Sequence, residues 1–573
     1  MLKKEWIKKG DGIDKEKIAD FSKAIGVSPL LAALLLNRGI GSEEEAESYL
    51  GKRLKGIRDP LRLPDMQPAV DRILKAIENG EKIVVYGDYD ADGVTSTALL
   101  VRFFRSVGAE VEYYIPDRMS EGYGIHILAL KKIFKMHAKL LISVDCGITA
   151  TGEVELAKSM GMDVIITDHH LPGEKLPQAI AVIDPKRADS DYEFDALAGV
   201  GVAFHLVLAL AKALELSTKE IFLEYVEIAA VGTIADVVEL MDENRVIAEY
   251  GIRQLPKSRN CGLLALQNVA GLTGKPFNST SVAFMLAPRL NAVGRLEHAG
   301  EAVELLLTDD PKQAELLAGK LEETNQARKS VEQKIFREAM ELLQENPAWC
   351  GQGVIVLAKE GWHPGVIGIV ASRILERFYR PCIMIALDED GQGKGSGRSI
   401  PGFHLYDALK ASEQHLEKFG GHAQAAGLSI RKDEVENFRQ AINKYANAHL
   451  REEDLIPKLS IDLELGISRL SLENAKALRA LEPFGMGNEK PIFCLRKARI
   501  KQVMTMSEGA HLRLEIEKNG ITAQAVGFRM GALASEMRPE QEADLAFYLE
   551  VNSFRGNESV QLILQDIQMR SGT

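Results

Sequence analysis

Cysteine is scarce, with five in 573 residues (Cys146, Cys261, Cys350, Cys382 and Cys494), and no two of them form a CxxC pair. That spacing argues against a zinc knot or a disulfide framework and leaves reduced, structural thiols. No run of about 18 consecutive apolar residues occurs, so no membrane-spanning helix is expected. The opening stretch, MLKKEWIKKGDGIDKE, lacks the apolar core of a signal peptide, and the expected setting is the cytoplasm with no membrane partner. Internal repeats and low-complexity tracts are missing. Positive charge is not in surplus either, since the net charge is −12. A protein that coats nucleic acid nonspecifically neutralises phosphate broadly with Lys and Arg, so that mode is disfavoured, although a local basic groove remains compatible. In a metal enzyme, bound cations screen part of such an acidic excess.

What is present is an ordinary globular composition, 46% hydrophobic and 27% charged. At about 100 to 200 residues per domain the length corresponds to roughly three or four domains. From Glu81 to about Pro185, short β-rich apolar runs (KIVVYG, VEYYIP, KLLISVD, DVIITD, AIAVID) alternate with longer amphipathic stretches. This predicts a parallel sheet with helices on both faces. In such sheets ligands gather outside the carboxyl ends of the strands. The acids sit at those ends: Asp88 to Asp92 after IVVYG, Asp145 after LLISV, and Asp168-His169-His170 after VIIT.

Residues 196 to 255 read as helical and carry Asp236. Asp310-Pro311 opens a segment running to QEN with no further proline and Gly319 as its only breaker, which predicts one long helix. At ~1.5 Å per residue it would extend roughly 50 Å, as a connector between two core domains or as an ordinary surface helix. A second α/β unit begins at GVIVLAKEGW and reaches about Leu450, with dense glycines in GQGKGSGRS and FGGHAQAAG that suggest close backbone approach. From Lys458, strand-like runs such as HLRLEIE, ITAQAVGF, LAFYLEV and VQLILQDI suggest a small β-barrel, with EMRPEQEAD expected as a solvated loop.

In GDYDADG, Asp88, Asp90 and Asp92 alternate just after a buried strand, where a loop can turn more than one carboxylate to the same point. Like charges so close are costly unless cations bind them. Such a turn taken alone is more often a solvated loop or cap; the acids and histidines at the other strand ends favour the metal reading. Oxygen-rich ligands with one or two imidazoles suit Mn²⁺ or Mg²⁺, manganese first, whereas a structural zinc site would want thiolates. A carboxylate bridging two ions ~3.5 to 4 Å apart activates water for in-line displacement at phosphorus.

The motifs GDYDADG, SVDCG, TDHH and VGTIADVVEL are similar in order and spacing to those of the DHH phosphoesterase superfamily. The segments YIPDRMSEGYG, LAGVGVAFH, LAPRLNAVGRL, GWHPGVIGIVASR, GSGRS, FGGHAQAAG and LEPFGMGNEKP resemble the RecJ-type single-strand-specific exonucleases, over nearly all of the chain after about residue 50. The resemblance implies an α/β fold: a parallel-sheet DHH domain joined by a long helix to a smaller α/β DHHA1 domain, plus a C-terminal OB-like β-barrel. Its boundaries would be 1–50 for an N-terminal helical segment, 51–260 for the DHH catalytic domain, 261–349 for a helical connector, 350–455 for the DHHA1 substrate-binding domain and 456–573 for the OB-like domain.

By the same resemblance Asp90, Asp92, Asp145, His169 and Asp236 would be ligands of two Mn²⁺ or Mg²⁺ ions, with Asp145 bridging and Asp88 an additional acid. His170 would face the scissile phosphate as electrostatic stabiliser or proton donor. The family usually has Pro where this chain has Met241 and Asn where it has Asp184, and neither change removes a ligand. Ser396 and Arg398 are placed at a 5′-terminal phosphate, with Arg118, Arg289 and Arg295 as supporting cations and His422 nearby. For Trp362 and Tyr123, base stacking and packing are both open.

The implied reaction is hydrolysis of single-stranded DNA from the 5′ end to mononucleotides, in recombination and repair, by a monomer. Its protein partners would be a single-strand-binding protein or a helicase. The alternatives are a DHH phosphodiesterase acting on short oligoribonucleotides or cyclic dinucleotides, a pyrophosphatase, and a catalytically dead relative that binds single strands or scaffolds a replication complex. The tail counts against the first two, and the complete set of acids and histidines against the third.

Overall fold

The computed structural model describes residues 2–9, 13–51, 54–118, 121–122, 124–554 and 556–570; Tyr123 lies outside them. The chain divides into two compact units, one comprising 6–291, 299–318 and 460–573, the other 1–5, 292–298 and 319–459.

In the larger unit, the five apolar runs form five parallel strands in the order Val111–Tyr114, Ile83–Tyr86, Leu140–Val144, Asp163–Thr167, Ala181–Ile183. Ile83–Tyr86 and Leu140–Val144 are buried along their whole length, which is why they read as unbroken apolar stretches rather than alternating ones. The chain leaves Ile83–Tyr86 toward one side of the sheet and resumes at Leu140–Val144 on the other. A topological switch point therefore lies between these two strands, where a crevice opens at their carboxyl ends. Helices Ala91–Ser106 and Gly199–Ala213 pack on this sheet, and Thr218–Ala235 packs on both of them.

The same unit holds a closed barrel. Strands Phe493–Met506, His511–Lys518, Ile521–Gly527, Asn557–Met569 and Glu542–Phe554 pair in turn, and the last pairs back with the first. Its core is shared with the N-terminal helices: Phe21, Leu31, Leu34 and Leu35 cluster with Phe493, Leu495, Leu545 and Phe547. EMRPEQEAD is only partly the expected solvated loop, because its end lies in strand Glu542–Phe554. Asp544 is buried and accepts from Arg570, the Lys497 amide and Arg496. Burial alone would raise its carboxyl, but these partners hold it at about 2.

In the smaller unit the strand order is Lys418–Gly421, Ala425–Arg431, Gln392–Arg398, Cys382–Leu387, Ile355–Glu360, with only the last pair parallel. Helices Ile367–Phe378 and Val435–His449 accompany this sheet. The predicted long helix is continuous over Pro311–Glu345, 35 residues, and belongs to the larger unit up to Ala318 and to the smaller from Gly319. No single helix among the described residues is long and apolar enough to cross a membrane.

Candidate metal centre

Strand Ile83–Tyr86 delivers Asp88 and Asp90 to the switch point. Asp90 caps helix Ala91–Ser106, its Oδ1 accepting from the amides of Asp92 (2.9 Å) and Gly93 (3.0 Å). The capping fixes Asp92 in the first turn, where it is buried and accepts from the Gly199 and Val200 amides at 2.7 and 2.8 Å. Those amides belong to the N-terminus of helix Gly199–Ala213, whose unpaired donors and dipole favour an anion. Asp145 follows strand Leu140–Val144 with φ of 59°, a left-handed conformation that turns its carboxylate into the same space. A Cβ at Gly199 would stand 2.8 Å from Asp145 Oδ1, so only glycine permits this approach. Asp236 ends helix Thr218–Ala235 as its C-cap.

His169 gathers these acids. Its Nε2 lies 3.1 Å from Asp145 Oδ1, 3.6 Å from Asp236 Oδ2 and 3.8 Å from Asp92 Oδ2. Three sets bring one ligand atom per residue within 4.8 Å of one another: Asp145, His169 and His170; Asp92, His169 and Asp236; and Asp88, Asp90 and Asp145. Asp145 and His169 each belong to two of them.

Without a cation the cluster is electrostatically frustrated. Burial and the neighbouring carboxylates push Asp88 and Asp145 well above the ordinary range, Asp92 to about 7 and Asp236 to about 9. Burial, then His170, lowers His169 to about 3, which leaves a neutral imidazole. Asp88 Oδ1 and Asp145 Oδ1 are buried with no hydrogen-bond partner among the described residues. Unpaired buried carboxylate oxygens beside a neutral imidazole fit a divalent cation that prefers oxygen ligands.

Asp168 stands apart from the three sets. Its carboxylate accepts from the amides of Ile148, His169 and His170 and meets His170 Nδ1 at 2.8 Å. Asp168 thus orients both histidines. Asn291, within LAPRLNAVGRL, was not singled out from sequence as a site residue; its Oδ1 accepts from the Ala91 amide at 2.8 Å and so helps fix the start of the Asp92 helix. Asp184 is fully buried, accepts from the Lys186 amide, and is raised to about 7 by burial.

The expected substrate residues fare unequally. Arg118 lies in the larger unit, 4.9 Å from the Tyr89 ring, and its charge acts on Asp88. Arg289 is buried and donates to the carbonyls of Met285 and Val269, so its guanidinium serves helix packing. In the smaller unit, Arg295 donates to Gly365 O at 3.2 Å, and Arg398 donates to Ser396 Oγ at 3.1 Å and Gly397 O at 2.7 Å. The first turn of helix Ile367–Phe378 rides on that pair, a Cβ at Gly368 falling 2.8 Å from Ser396 Oγ. His422 is exposed on the turn joining Lys418–Gly421 to Ala425–Arg431. Of the two roles open to Trp362, the structure favours packing. The residue is 4% exposed in a cluster with Ile335, Leu343 and Val366, and its indole N–H donates to Glu338 at 2.8 Å, so the ring packs.

Known proteins supply the context. The DHH family N-terminal domain matches residues 82–233, the DHHA1 domain 351–448 and the RecJ OB domain 461–566. The single-stranded-DNA-specific exonuclease RecJ of Bacillus subtilis is 40% identical over 555 residues, 96% of this chain and 70% of its own length. The chain belongs to the RecJ family. The Haemophilus influenzae RecJ is 37% identical over 97% of this chain and 98% of its own. Among solved structures, RecJ from Thermus thermophilus in complex with Mn²⁺ has a TM-score of 0.84 and 32% identity, covering 98% of this chain and 79% of that one. The same RecJ in complex with Mg²⁺ has a TM-score of 0.78 and 30% identity, covering 98% and 78%.

Proposed function

We propose that this chain is a metal-dependent exonuclease that hydrolyses single-stranded DNA in the 5′-to-3′ direction to mononucleotides, in DNA recombination and repair. The observation that carries the reading is the convergence of Asp88, Asp90, Asp92, Asp145, His169 and Asp236 at one switch point, with buried carboxylate oxygens left unpaired. Polarity rests on the family resemblance.

Asp90, Asp92, Asp145, His169 and Asp236 would hold the ions, Mn²⁺ or Mg²⁺, with Asp145, a member of two of the ligand sets, as the shared residue and Asp88 in support. When bound, such ions act as Lewis acids toward the phosphoryl oxygens and lower the pKa of water. The chain's own residues do the rest. Gly199 and Val200 amides fix the Asp92 carboxylate, and Asp168 fixes the His170 tautomer through Nδ1. Burial works against a charged His170, yet Asp168 raises its pKa, so the ring is suited to stabilise charge on the phosphate or to give a proton to the leaving oxygen through Nε2.

Ser396 and Arg398, with Arg295 and His422, receive the 5′-terminal phosphate, and Arg118 supports the strand near the metals. The division of the chain follows the boundaries 1–50, 51–260, 261–349, 350–455 and 456–573, the last being the barrel that guides the strand. The enzyme works as a cytoplasmic monomer, with a single-strand-binding protein or a helicase as partner. Digestion of 5′-labelled and 3′-labelled single strands beside a duplex tests the reading. Early release of the 5′ label from the single strand alone is expected; early release of the 3′ label, or equal digestion of the duplex, would overturn it.

A further inference from the structure

The segment LEPFGMGNEKP has no part in the chemistry above, yet it touches the loop that carries a metal-site acid. Between Asp236 and helix Asp242–Gln254 the chain makes a strained passage, with φ of 61° at Val237 and 47° at Asp242. A left-handed β-branched residue is strained and persists only where the surroundings dictate it. Two sets of contacts dictate it here. Asn244 Nδ2 donates to Glu239 O at 3.0 Å and to Ala196 O at 2.6 Å. From the other side, the Leu240 amide donates to Met486 O at 2.8 Å.

The approach is close enough to require two glycines. A Cβ at Gly485 would lie 2.6 Å from Leu240 Cδ1, and one at Gly487, where φ is +69°, would lie 3.2 Å from Glu239 Cβ. The turn is itself rigidly held. Asn488 is fully buried, its Nδ2 donates to Leu481 O and Pro483 O at 2.8 Å each, and its Oδ1 accepts from Tyr49 OH at 2.6 Å. Arg245, buried against the Tyr49 ring at 3.9 Å, donates to Leu481 O at 3.0 Å, and Ser279 Oγ donates to Phe484 O. Five residues beyond Asn488 begins barrel strand Phe493–Met506.

We propose that the Phe484–Asn488 turn is a positioning device for Asp236, so that the cation held by Asp92, His169 and Asp236 depends on the base of the barrel being docked on residues 237–242. The set formed by Asp88, Asp90 and Asp145 has no such dependence. The metal centre thereby reports whether the barrel is seated. This inference rests on the metal-centre reading.

The test is Mn²⁺ binding to the full chain, followed by calorimetry and by electron paramagnetic resonance, with melting temperatures in EDTA as a control for folding. Gly485→Val should weaken one of two Mn²⁺ sites by about tenfold or more, the scale of supporting interactions around a metal, and leave the other intact. With it, kcat on single strands should fall while KM holds. If Gly485→Val does not fold, Gly487→Ala, a milder intrusion against Glu239, decides the matter by the same readouts. Two unchanged Mn²⁺ sites in a folded variant would overturn the inference, as would equal weakening of both. Asp236→Ala separates the two levels: if it leaves Mn²⁺ binding unchanged, the metal-centre reading itself fails.

Discussion

Asp168 binds His170 through Nδ1 at 2.8 Å and, with the same oxygen, accepts from the backbone amide of His170. One carboxylate therefore fixes both the position and the tautomer of the imidazole, a service usual for histidines at reaction centres. Asp168 also overcomes the effect of burial and raises the imidazole pKa. In Asp168→Asn burial is left to act, so the alkaline limb that reports loss of the His170 proton should move to lower pH. Activity near neutrality should fall about 10²- to 10⁴-fold, as for His170→Ala, if proton transfer is the role. A pH profile of single-strand hydrolysis checks this; an unshifted limb would remove Asp168 from the chemistry.

The acid cluster makes stability depend on pH in a direction opposite to that of a paired carboxylate. Folding raises Asp92 to about 7 and Asp236 to about 9 from 3.8, so the folded state binds more protons than the unfolded one in that range. Stability without metal should therefore be greatest below the unfolded value of 3.8, fall as pH rises above it through the folded pKa of Asp92 at about 7, and level off only beyond that of Asp236 at about 9. Saturating Mn²⁺ should flatten or reverse the slope. Asp145→Asn should raise the melting temperature in EDTA, by about 2 to 4 °C for each kcal/mol of repulsion relieved, and abolish Mn²⁺-dependent hydrolysis. Thermal melts across pH with and without metal measure all of these.

The strands of the DHH sheet and the acids at their ends were legible because a strand buried on both faces must be apolar throughout and a metal site must place acids where the apolar run stops. Asp236 was legible only within its motif, since nothing in a helical pattern says which acid caps the helix toward a sheet. Contacts between distant segments left no local trace. The sharing of a core by Leu34 and Phe547 is one such case, and the Asn291 bond to the Ala91 amide is another. Asp544 shows the same blindness: in a charged string it looked solvated, and only the return of Arg496 and Arg570 along neighbouring strands made it a buried ion pair.

Trp362 was open between stacking and packing because an aromatic beside a glycine-rich motif suits either. Its partner Glu338 comes from the long helix and decides for packing. Trp362→Phe should keep KM for single strands unchanged while lowering stability by about 1 kcal/mol through the lost hydrogen bond. Trp362→Ala should cost about 3 to 5 kcal/mol. Urea unfolding beside steady-state kinetics separates the outcomes, and a raised KM with unchanged stability in Trp362→Phe would restore the stacking role.

Arg398 is the sharper probe of strand polarity, because it tests the end of the substrate rather than the bond that breaks. Its Nη1 spans Ser396 Oγ and Gly397 O beneath the first turn of helix Ile367–Phe378, so the guanidinium is already oriented before any anion arrives. A preoriented guanidinium gives up little rotamer entropy on binding and offers a planar fork to phosphate. Arg398→Ala should therefore weaken binding to 5′-phosphorylated single strands by about 1.5 to 3 kcal/mol, the worth of a hydrogen bond to a charged group. Strands ending in a 5′-hydroxyl should be affected far less, and 3′-phosphorylated strands no differently from those. Fluorescence anisotropy with the three oligonucleotides reads the difference directly. Equal loss on all three would place Arg398 on the strand backbone and take the 5′ end away from this loop.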